Sequence, residues 1–127
     1  MSQNKLSDYV VGRVLTLLSS INLAKYKHTR PSTGAPVEFI VVNAFSIGSG
    51  IMQKFVLNVN YHKKNLSGGV PDNLKLQNNS QAILDILEEY EAADMLIDFE
   101  TQEITPEAQF DEHYSNLRFS LKMINNS

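Results

Sequence analysis

Two stretches decide the fold: Val37-Glu-Phe-Ile-Val-Val-Asn-Ala-Phe45 and, after a short connector, Gln53-Lys-Phe-Val-Leu-Asn-Val-Asn-Tyr-His62. In the first, both alternating sides are apolar, with Val37, Phe39, Val41 and Phe45 set against Ile40, Val42 and Ala44. That is the pattern of a central strand covered on both sides. In the second, Phe55, Leu57, Val59 and Tyr61 alternate with Lys54, Asn58, Asn60 and His62, the period-2 signature of a half-buried strand. The connector Ser46-Ile-Gly-Ser-Gly-Ile-Met52 is punctuated by glycine and makes the two strands a hairpin.

Working outward, Leu6–Ile21 reads as an amphipathic helix. Leu6, Tyr9/Val10, Val14, Leu17/Leu18 and Ile21 recur at helical spacing, and Ser7 or Asp8 can cap the first amides. Val11 and Leu15 widen the apolar stripe, so this helix should be largely buried against a sheet. Residues 22–30 read as a short strand fading into a turn, and Arg30–Pro36 as a loop. On the other side, Lys63–Pro71 is a second loop, with Gly68-Gly69 and Pro71. A helix is expected from about Asp72 to about Ala93, faltering across Gln77-Asn78-Asn79 and clear from Ser80. There Ile83, Ile86/Leu87 and Tyr90 face one way, while Asp85, Glu88, Glu89 and Glu91 face the other. Met95–Phe99 and Tyr114–Ile124 complete the strands. Between them Glu100–Glu112, acidic and holding Pro106, reads as a turn or excursion, and Asn125–Ser127 should fray.

The order α-β-β-β-α-β-β with hairpin-like connections predicts an α+β fold. Its sheet is mainly antiparallel, of about five strands, with two helices packed on one face. A length of 127 residues fits a single α+β domain, with an ordered core over about 6–124. The cysteine count is zero, which excludes disulfides, zinc–thiolate sites, iron–sulfur clusters and thiol nucleophiles. The start of the chain makes a poor signal peptide, and no apolar run reaches the ~20 residues of a membrane helix, so a cytoplasmic protein at synthesis is expected.

The net charge of −3 is unevenly placed: residues 1–64 hold eight Lys/Arg against two acids, and residues 65–127 hold three against twelve. Either the halves neutralise each other within one fold, or the subunit has a basic and an acidic face that favours head-to-tail packing into a ring.

Catalytic grammar is scarce. Gly48-Ser49-Gly50 lacks the lysine and the strand-to-helix context of a phosphate loop. His28, His62 and His113 are widely separated and show no metal-ligand spacing. In Asp111-Glu112-His113, alternation lets only Asp111 and His113 co-operate, and a site assembled from His62, Asp111 and His113 is the enzyme alternative. Glu88, Glu89 and Glu91 read as a solvated helix face or, in a ring, as the acidic side of a contact between subunits. The polar rows stand out instead. Lys54, Asn58, Asn60 and His62 on one strand, with Asn116, Arg118, Ser120 and Lys122 on another, form either a plain water-facing sheet surface or a contact surface for a partner or passing DNA.

The run Glu38-Phe-Ile-Val-Val-Asn-Ala-Phe-Ser46, then Lys54-Phe-Val-Leu-Asn-Val-Asn-Tyr-His62, resembles small phage and prophage proteins of the tail-terminator or tail-completion kind. Val70-Pro-Asp-Asn-Leu74 and Glu112-His-Tyr-Ser-Asn-Leu-Arg-Phe119 are similar to them too, over roughly residues 6–124 in all. The resemblance implies a non-enzymatic virion structural protein. Its subunits would form a ring, typically a hexamer, that stops tail-tube growth and offers a docking surface to head-completion proteins. It brings no cofactor, metal or catalytic residue. The other class of function left open is a small cytoplasmic module that binds protein or nucleic acid.

Overall fold

A computed structural model describes residues 7–48 and 52–124. Ten elements follow one another: α1 (Ser7–Leu17), β1 (Ala24–Lys27), β2 (Glu38–Gly48), β3 (Met52–Lys64), a 3-10 turn (Ser67–Gly69), α2 (Asn73–Leu87), β4 (Tyr90–Glu91), β5 (Met95–Glu107), a second 3-10 turn (Ala108–Phe110) and β6 (Glu112–Ile124). The strands form one six-stranded sheet in the order β1-β2-β3-β6-β5-β4. All neighbours are antiparallel except β1, which runs parallel to β2. The α+β class is as expected. The sheet is larger and more mixed than the five-strand expectation, because β4 adds an edge and β1 joins in parallel.

Both helices lie on the same side of this sheet. Val10, Val11, Val14 and Leu18 from the first helical stretch, and Leu76, Ile83 and Leu87 from α2, meet Ile40, Val42, Leu57, Val59, Leu117 and Phe119 in one continuous cluster. Each of these side chains is fully buried. At roughly 1.5–3 kcal/mol per large apolar side chain removed from water, this layer is the main source of stability. The first helix ends at Leu17, short of the expected Ile21, and passes into turns in which Ile21 N–H reaches Leu18 O at 3.0 Å. Leu6, its expected first residue, and the fraying end Asn125–Ser127 lie outside the described residues, as does the tip of the β2–β3 hairpin.

α2 opens at Asp72, whose side chain accepts from Lys75 N–H. It runs unbroken through Gln77-Asn78-Asn79: the buried positions Leu76, Ser80, Ile83 and Leu87 keep helical spacing across that segment. It stops at Leu87 rather than about Ala93. Glu88 leaves the helix with ψ 126°, and Glu89 turns the chain at φ 58°. The next residues pair with Leu96 and Ile97 as β4.

The largest correction is Glu100–Glu112. Residues up to Glu107 continue β5 as a strand paired with β6, after a bulge between Phe99 and Thr101. Pro106 is compatible with this because β4 ends at Glu91, leaving that part of β5 at the sheet edge, where a missing N–H breaks no ladder. In the loop after β3, Gly68 and Gly69 hold φ of 79° and 76°, a region that glycine enters without steric penalty.

Candidate functional site

The side of the sheet away from the helices carries the polar rows. Because β3 and β6 are neighbours, Lys54 stands opposite Lys122, Asn58 opposite Arg118, Asn60 opposite Asn116 and His62 opposite Tyr114. The two rows are therefore one surface. Its centre is an amide ladder. Asn58 Nδ2 donates to Asn43 Oδ1 at 3.1 Å, and Asn116 Nδ2 reaches Asn58 Oδ1 at 3.2 Å and Asn60 Oδ1 at 2.6 Å. All four asparagines are half-buried, so the ladder fixes their amides rather than leaving them loose in water.

The two ends of this surface differ. Toward the β2–β3 hairpin tip lie Lys54, exposed, and Lys122, half-buried, directly opposite each other. Like charges so placed repel, and neither forms an ion pair among the described residues. Arg118, two positions inward on the same face beyond Ser120, pairs with Glu100 at 3.3 Å.

The other end is closed. His62 is 6% exposed, which corrects its expected place on a water-facing row. Its ring is stacked between Phe39, 4.6 Å away, and Tyr114, 4.9 Å away. Its Nδ1 lies 3.2 Å from Glu112 Oε1, which also accepts from Arg30 Nη1 at 2.5 Å. The Arg30 guanidinium lies 3.5 Å over the Phe110 ring, in cation–π geometry. Arg30 thereby ties the Arg30–Pro36 loop to the sheet, and a cavity of about 250 Å³ sits between this loop, Lys64, Phe110 and Glu112. Burial holds the His62 imidazole below its usual pKa, and the Glu112 carboxylate opposes that only in part.

The residues of the enzyme alternative do not converge. His62 faces away from the helices, whereas His113 stands opposite Lys63 on the other side of the sheet. Asp111 and His113 do come together, bridged by Asn65, which donates to Asp111 Oδ1 at 3.0 Å and lies 2.6 Å from His113 Nδ1. Glu112, the member of that triplet set aside on sequence grounds, is the buried one, at 1% exposure. Its partners stand 82 and 50 positions away in the chain, and alternation, which aims it opposite to Asp111 and His113, was the only local sign of its direction.

Glu88, Glu89 and Glu91 are exposed, but not as a helix face. They line the turn from α2 into β4 at the far edge of the sheet. The charge asymmetry is partly neutralised inside the fold. Arg13 meets Asp94 at 2.8 Å, Arg30 meets Glu112, and Lys63 meets Asp72 at 3.7 Å, each joining a cation of the first half to an acid of the second.

Among the described residues, no group of three or more His, Asp or Glu is placed to hold a metal ion, and no helix is long and apolar enough to cross a membrane. No family model matches the chain, and no curated protein matches it.

Proposed function

We propose that this chain is a non-enzymatic structural subunit of the phage tail-terminator kind, assembling as a ring that caps a tail tube and joins it to head-completion proteins. The observation that carries this reading is the uncovered sheet face. There the Asn58 and Asn60 amides are held by the ladder, and Lys54, Arg118 and Lys122 stand beside them on two neighbouring strands rather than gathered in a pocket. His62 and Glu112, the groups with most chemical potential, are engaged in seating the Arg30 loop. A surface of fixed amides and cations suits contact with a neighbouring subunit or with DNA passing through a ring, since it can meet phosphates without reading sequence.

Electron microscopy of the purified chain mixed with tail tubes tests the proposal. Rings of uniform size on tube ends, and tubes of limited length, are the expected result. Tubes that grow unchanged with the protein free in solution would remove it. The second reading, a cytoplasmic module binding protein or nucleic acid, is favoured by the unopposed Lys54–Lys122 pair. It predicts DNA binding by the isolated monomer that weakens steeply with salt.

A further inference from the structure

Two sheet edges are open at the same level of the molecule. β1 pairs with β2 only as far as Val42, so among the described residues no strand covers the outer edge of Asn43–Gly48. At the opposite margin β4 is the last strand, and among the described residues none covers its outer edge. The pairing register links the two across the whole sheet. Glu91 stands beside Leu96, then Lys122, Lys54 and Gly48; Tyr90 stands beside Ile97, then Leu121, Phe55 and Ser46. One edge is therefore the lateral continuation of the other.

Their chemistry is complementary. The hairpin edge exposes Phe45 at 50%, Ile47 at 59% and Met52 at 39%, with the exposed Lys54 behind them. The β4 edge borders a groove of about 400 Å³ lined by Glu89, Tyr90, Glu91, Leu96 and Asp98. It thus offers a mainly acidic groove holding Tyr90 and Leu96, opposite to a hairpin edge that bears a cation.

We propose that the β4 edge of one copy receives the Asn43–Gly48 edge of a second copy, extending the sheet from subunit to subunit. This rests on the ring reading above and names the surfaces that would build it. β2 and β4 run in the same direction, because three antiparallel steps separate β3 from β4 and one separates β2 from β3. The new pair is parallel, as β1 and β2 already are. In the joined sheet Gly48 lies next to Glu91 of the neighbouring copy, and Lys54 lies one strand further in, about 10 Å from it at a strand spacing of about 4.8 Å. Gly48 has no side chain to block that path. Lys54 and Glu91 occupy the same face of the sheet, so they reach toward each other across it, and the repulsion between Lys54 and Lys122 gains a compensating anion. The contact joins different patches on the two copies, so it propagates and closes as a ring when the rotation permits.

The absence of cysteine makes the test clean. In the full chain, Gly48→Cys and Glu91→Cys would sit about 5 Å apart between copies, within the range for a disulfide. A Cβ at Gly48 meets no atom within 4 Å, so the change is tolerated by the fold. Under mild oxidation of concentrated protein the double variant should give a ladder of linked oligomers. A mixture of the two single variants should stop at dimers, and each single variant alone should stay unlinked. Lys54→Glu and Glu91→Lys should each weaken association about fivefold to tenfold at low salt, and their combination should restore it. Assembly of the parent chain, seen by light scattering, without a ladder and without charge rescue would overturn the edge pairing while leaving the ring. Linked dimers from one single variant would show a symmetric contact and overturn it too. A parent chain that stays monomeric at every concentration, with and without tubes, would overturn both proposals.

Discussion

The two faces of the sheet are stabilised by different physics. Toward the helices, Leu57, Val59, Leu117 and Phe119 are buried among other hydrocarbons, where burial is non-directional and a contact can shift without losing its value. Away from the helices, Asn43, Asn58, Asn60 and Asn116 hold one another by directed bonds of 2.6–3.2 Å, and Glu112 sits almost fully buried between Arg30 and His62. The first face supplies stability. The second fixes the position of groups that remain within reach of water or a neighbour, at the risk that removing any one leaves a partner stranded.

Unfolding measurements distinguish the two faces. Phe119→Ala empties the centre of the helix-covered face and should cost about 3–5 kcal/mol in urea denaturation. A loss no greater than that of an exposed aromatic would show the helices to be loosely packed. Glu112→Ala removes the acceptor shared by Arg30 and His62, and should cost about 3 kcal/mol, because it strands a largely buried guanidinium. An unchanged urea midpoint would show that the carboxylate is not what holds the Arg30 loop.

His62 makes the polar face sensitive to pH. Its folded pKa lies below the ordinary 6.5, so on acidification the unfolded chain takes up a proton before the folded one does. The stability contributed by the neutral imidazole is fully present above 6.5 and declines as pH falls through that value toward the folded pKa. His62→Phe, which keeps a ring between Phe39 and Tyr114, should flatten this part of the curve. A slope identical to that of the parent would assign the dependence to other groups. The smallest effect is expected for Asn116→Ala, about 1 kcal/mol, since its amide is only half-buried and water can replace part of what it loses. Additivity with Asn43→Ala would mean that the ladder is a row of independent contacts rather than a connected network.

The long strands β2, β3 and β6 were legible as sequence. β3 and β6 alternate over long runs because each must satisfy a buried helix-side face, and the strands expected at Gln53–His62 and Tyr114–Ile124 are found there. The strand expected at Val37–Phe45 is found as well, but it is covered on both sides only where β1 flanks it: Phe39 and Val41 are buried, whereas Val37 and Phe45 are 59% and 50% exposed. The second half of β5 was not legible. Thr-Gln-Glu-Ile-Thr-Pro-Glu carries the charge and proline that mark a loop in a central position and an edge in a marginal one, and only the partner strand distinguishes the two. The end of α2 was hidden for a related reason. Glu88 and Glu89 are good helix formers with no glycine or proline to announce a stop, yet Glu89 takes a left-handed conformation to start β4. Of the candidate surface, the adjacency of the two polar rows needed only the pairing of β3 with β6. The burial of His62 needed Arg30 and Glu112, residues that local spacing does not connect.

The overhanging half of β5 has a consequence for the life of the protein in a crowded cell. A bare strand margin of eight residues invites other chains to stack on it and grow into fibres. Here it bears Glu100, Glu103 and Glu107 and is interrupted by Pro106, so a copy of itself laid alongside meets like charge and a missing donor. Growth of a fibre along that margin is therefore discouraged.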